Sequence, residues 1–282
     1  IFFSKNMFSR GQSSRGSQRD FPWLHFPQIS SNSTRTRSKK KLVELQKKEI
    51  CASNTVDWEW LGRVRYEEDL APYIIKTFEH NGVSITCDGW SSVFRIQEPI
   101  YRELCLEFFS TIHFQGVDDY YNPGSITFCL GGKVRHSSMV ELAWRLGIYD
   151  QQVVNTDAFR TFLEHCHKAF TDGITSSSWW NTIANKVYIP KSAQEGSIRS
   201  PTHHLIHRLM SNTINQRKDD DKFSNLYVFF LWSIITPNTF CNIPWCIASY
   251  LAEGAVNDRK TSKFNGGMFV TRLAHSYRLM TS

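Results

Sequence analysis

The chain has 282 residues, of which 41% are hydrophobic and 14% aromatic, enough to bury a sizeable core. Its longest apolar-dominated run, Leu226 to Ile235, is about half of what a membrane-spanning helix needs. The net charge of +7 is unevenly placed: residues 1–50 hold eleven Lys or Arg against Asp20, Glu44 and Glu49, a net of +8, which leaves −1 for the remainder.

Residues 1–41 are rich in Ser, Arg and Lys, poor in aliphatic side chains, and follow no sustained period. Such a stretch cannot bury enough apolar surface to offset its ordering entropy, so residues 1–50 are expected to be a disordered basic tail. Leu42 and Leu45 permit a short helix from Lys40 to Ile50. The run Arg35, Arg37, Lys39, Lys40 and Lys41 is the candidate nucleic-acid-binding segment, because closely spaced cations attract phosphates. A solvated linker carries about equal weight for so short a run. No basic, apolar, small-residue sequence at the start reads as a secretory signal, and an initial Ile is what a fragment or conceptual translation would show.

Residues 51–282 read as one mainly α-helical domain with a small β-hairpin. Ile100, Leu104, Phe108 and Ile112 recur every four residues and predict an amphipathic helix over 99–112. Ile126, Phe128 and Leu130 alternate with Ser125, Thr127 and Cys129 as a strand; Gly131-Gly132 supply a turn and Lys133 to His136 a return strand. Ser138 and Glu141 form a capping box for a helix that Gly147 ends. Asp157 is placed as the cap of a helix through Phe159, Phe162, Leu163 and Phe170. Pro201 suits the first turn of a helix with Leu205, Ile206, Leu209 and Met210 buried. Asp219 to Asp221 favour the start of a helix from Phe223 to Ile235, stopped by Pro237 and apolar nearly all round, hence central. Pro244 opens another through Tyr250 and Leu251, and a last helix carries Phe269, Leu273 and Tyr277.

Several blocks resemble, in order and spacing, the first-open-reading-frame protein of Athila-type plant retrotransposons. They are Gln97 to Thr111, Ile126 to Gly132, Glu141 to Tyr149, Ser178-Trp179-Trp180, Ser197 to Pro201 with His207-Arg208, and Gly266 to Ala274. The resemblance covers roughly residues 85–280 and implies a gag-like or uncharacterised element product; with the helical body for assembly and the +8 tail for RNA or DNA, the reading is a non-enzymatic, gag-like structural protein. The resemblance assigns no catalytic residue and no cofactor. The CCHC zinc knuckle that often ends a gag nucleocapsid is missing from this sequence. A transposase or integrase relic, and a domesticated protein similar to the plant mobile-domain proteins, are the alternatives.

The candidate reactive groups are weak. His203, His204 and His207 with Cys241 and Cys246 faintly resemble an integrase-type zinc site, but the two cysteines stand too far apart for a tight knuckle, so no metal is expected. His165, Cys166 and His167 are adjacent, and an intact helix would point them in different directions. Asp118-Asp119 lacks the partners of a polymerase site and reads as an acidic loop. Trp179, Trp180, Trp232 and Trp245 sit among apolar neighbours and read as core anchors rather than base-stacking platforms. Seven cysteines without a CxxC pair point to a reducing intracellular setting, nuclear or cytoplasmic, rather than to a disulfide framework. The doubled aromatics Phe108-Phe109, Phe229-Phe230 and Trp179-Trp180 suggest either wide helical stripes used for self-association or helices buried all round.

Overall fold

A computed structural model describes residues 8–10, 32–48, 54–63, 66–116, 124–170, 173–189, 193, 195–215, 223, 225–256 and 265–280. The aspartate pair at 118–119 and the triplet at 219–221 lie outside the described residues, as does most of the basic segment before Asn32. The chain is mainly α-helical, with short antiparallel sheets.

In chain order, β1 (Phe8–Arg10) pairs with β2 (Asn54–Val56), and between them lies α1 (Asn32–Gln46). Part of the segment expected to be disordered is therefore a helix. Ser38, Leu42 and Leu45 recur at helical spacing and are buried, and this narrow stripe is enough to seat α1. There follow α2 (Trp58–Arg63), α3 (Tyr66–Ile74), β3 (Lys76–His80), β4 (Val83–Cys87) and α4 (Gly89–Phe94). The hairpin of β3 and β4 was not expected from the sequence. Its turn is Asn81-Gly82, both at positive φ, and Phe78, Ile85 and Cys87 are its buried positions.

Next come α5 (Arg102–Thr111), β5 (His113–Gln115), β6 (Ser125–Leu130), β7 (Lys133–Ser138) and α6 (Met139–Arg145). The predicted hairpin is β6–β7, turned at Gly131 and Gly132 with φ of 65° and 73°. It is one part of a three-stranded sheet, because β5 pairs along its other edge. Ser138 caps α6, its hydroxyl accepting from Glu141 N at 3.1 Å, and Gly147 follows at φ 70°.

The chain continues through α7 (Gln151–Val154), α8 (Asp157–Glu164), α9 (Ser176–Ile183) and α10 (Pro201–Met210). The cap of α8 is Thr156, not Asp157: the Thr156 hydroxyl accepts from Phe159 N, while Asp157 occupies the first helical position and pairs with Arg160. α8 also stops before Phe170, because His167 leaves the helix to exchange backbone hydrogen bonds with Phe240 and Asn242. Then α11 (Asn225–Ile235), α12 (Ile243–Val256) and α13 (Gly267–Ser276) complete the chain. Tyr227 to Ile235 are all buried, as expected for a helix apolar on every side.

Contacts divide the chain into two compact units, each assembled from separated segments. In one, residues 55–95 and 148–243, α11 lies against α3, α9 and α10, and α8 packs on β4. In the other, residues 10–54, 96–147 and 244–282, α5 is the hub, touching α1, α13 and β6. Phe108 and Phe109 are its fully buried anchors. The buried Glu107 carboxylate on α5 accepts from Gly131 N at 3.0 Å and Gly132 N at 2.7 Å, and so clamps the β6–β7 turn to the helix.

Candidate nucleic-acid interface

From Asn32 to Lys48 the chain carries seven cations, Arg35, Arg37, Lys39, Lys40, Lys41, Lys47 and Lys48, against the single acid Glu44. From Thr36 to Gln46 the buried positions of α1 are Ser38, Leu42 and Leu45, and apart from half-buried Lys41 the others are exposed. Arg37, Lys39 and Lys40 are exposed and Lys41 is half-buried; Arg35 belongs to the same helix. Burial, with the positive charge of Arg37 one turn away, pushes the Lys41 ammonium below its usual range. Like charges one helical turn apart disfavour an isolated helix. Here α1 is held by its packing on α5 and by Arg102, which donates from Nη2 to Gln46 O at 2.7 Å and from Nη1 to Lys48 O at 3.2 Å. Arg102 thus satisfies carbonyls at the end of α1, a role without a local sequence signature because its partners are more than fifty residues away.

The histidines are brought together with a carboxylate and not with the cysteines. Glu195, in a 3₁₀ turn at Glu195–Ser197, receives Arg208 Nε at 2.8 Å and Nη2 at 2.7 Å, a two-pronged pair. His204 Nδ1 lies 3.3 Å from Oε1 and His207 Nε2 3.6 Å from Oε2. The Tyr227 hydroxyl lies 2.8 Å from His207 O and 2.6 Å from its Nδ1, so it ties the ring to the backbone of α10. Burial alone would raise the Glu195 pKa, but His207 and Arg208 outweigh it and hold the group down to about 2. His203 packs edge-on against Tyr73, and burial together with His204 lowers its basicity. The cluster reads as a buried ionic brace between the 3₁₀ turn and α10.

A cavity of about 20 Å³, roughly one water molecule, is lined by Lys76, Cys87, Tyr149 and Cys241 among others. Lys76 donates to Ser233 O, Thr236 O and Thr239 O at 2.7, 2.8 and 3.1 Å, at the negative end of α11. Burial pushes its ammonium down to about 8, yet all three protons are committed. Burial also lifts the Cys87 thiol to about 12 and Cys166 well above its usual value, so neither is a thiolate near neutrality. Among the described residues no group of three or more His, Cys, Asp or Glu could hold a metal ion.

Trp179, Trp180 and Trp232 are buried, and Trp245 is half-buried against Phe114, which leaves none of them as an open stacking platform. Phe108, Phe109, Phe229 and Phe230 are likewise interior, so the doubled aromatics serve the cores. No helix among the described residues is long and apolar enough to cross a membrane. The chain matches no family model, no curated protein and no solved structure.

Proposed function

We propose that this chain is a non-enzymatic, gag-like structural protein of a plant retrotransposon, which binds nucleic acid through its basic amino-terminal segment and self-associates. The observation that carries the nucleic-acid part is α1: a helix anchored by three small or apolar side chains and crowded with outward cations. Phosphates would relieve the repulsion between Arg37 and Lys41 and release counterions on binding. The element assignment rests on the collinear blocks that resemble the Athila-type family. Self-association is supported by the near-neutral charge of residues 51–282 and by Val187 and Ile189, 71% and 59% exposed on either side of buried Tyr188.

The test keeps the full chain, because removing α1 would uncover the face of α5 that Leu42 and Leu45 cover. Replacing Arg37, Lys39, Lys40 and Lys41 together by Gln should weaken binding to any labelled oligonucleotide. If about five phosphates are neutralised, log affinity should fall with log salt at a slope of about −3.5 on single strands and about −4.5 on duplex, and less steeply in the variant. Undiminished affinity in a variant of unchanged helix content would overturn the assignment.

A further inference from the structure

The exposed side of α1 has an arrangement that goes beyond net charge. Thr36, Lys40, Val43 and Lys47 are all exposed and follow helical spacing along the line opposite Ser38, Leu42 and Leu45. They form the outermost ridge of the helix, with Lys47 just past its last turn. Arg37 and Lys39 stand on the two flanks of that ridge, about 160° apart around the axis. A helix of fifteen residues is about 22 Å long and, with side chains, about 10–12 Å across. The major groove of B-form DNA is about 12 Å wide and is walled on both sides by phosphates. A single strand offers phosphates to one flank at a time, and the deep, narrow major groove of A-form RNA does not admit a helix.

We propose that α1 seats in the major groove of B-form duplex DNA, with Arg37 and Lys39 reaching the phosphates of opposite walls. The ridge of Lys40 and Val43 then faces the base edges, an amine able to donate to guanine O6 and N7 and a methyl surface able to meet thymine. The stripe of Ser38, Leu42 and Leu45 stays on α5, so the helix enters the groove already ordered. The inference rests on the nucleic-acid reading of α1 and narrows it to one form of nucleic acid.

Fluorescence anisotropy with the full chain, at one salt concentration, would compare a short mixed-sequence DNA duplex, the RNA duplex of the same sequence and each DNA single strand. The DNA duplex should bind at least about tenfold tighter than either alternative, because only its major groove admits the helix. Dimethyl sulfate probing of the complex should show protection at guanine N7, in the major groove, and not at adenine N3, in the minor groove. Equal affinity for all the probes, or protection confined to adenine N3, would overturn the groove assignment and leave the nucleic-acid reading standing. Failure to bind any probe would overturn both.

Discussion

Replacing Glu195 by Gln removes one charge from the brace that joins the 3₁₀ turn to α10 and leaves the Arg208 guanidinium facing an amide. Glu195 is 8% exposed, and its carboxylate is held at about 2 against an ordinary value of 4.5. That shift corresponds to roughly 3 kcal/mol of folded-state stabilisation at neutral pH, similar to the cost of breaking other buried ion pairs. The sign follows from the depressed value: the contribution is complete above the ordinary value of 4.5 and fades as pH falls towards 2. Urea unfolding of the wild type and E195Q at a series of pH values reads this directly, since the midpoint scales with stability at constant slope. The expected result is a gap of about 3 kcal/mol at pH 7 that narrows progressively below about pH 4.5. A gap under about 0.5 kcal/mol at pH 7, the scatter of an ordinary surface substitution, would refute the brace. So would a gap that persists unchanged at pH 2.5, because the carboxylate would then not be the group responsible.

Glu107→Ala should be as damaging for a different reason: it strips the acceptor from Gly131 N and Gly132 N, and orphaning the two donors should cost about 2–4 kcal/mol by urea unfolding. Stability unchanged in that variant would show that water replaces the carboxylate at the turn. Light scattering of the full chain over a concentration series should show mass rising with concentration, and Val187→Asp with Ile189→Asp should suppress the rise; a strictly monomeric, folded wild type would refute self-association.

How much could be read from the sequence differs from element to element. α5, α6, α10, α11, α12 and α13 were legible because their apolar spacing, capping residues and helix-ending glycine or proline act within one or two turns. The β6–β7 hairpin was legible for the same reason, its glycine pair and alternation being local. Asn81-Gly82 is an equally strong local turn signal for the β3–β4 hairpin. α1 was half legible: its Leu pair is visible, but a basic, weakly apolar segment has no reason to fold alone, and α1 is seated by packing on α5. The five candidate cations were named from composition, whereas their division into two flanks and a ridge needed a helix with one face already occupied. The histidines show the limit most sharply. Spacing placed His203 and His207 one turn apart, but only the tertiary fold set Glu195, Arg208 and Tyr227 around the second of them. A pattern along the chain determines which faces are apolar and where helices end, because those effects act between neighbours. Whether a histidine meets a carboxylate or a metal is decided by side chains that the chain brings from elsewhere.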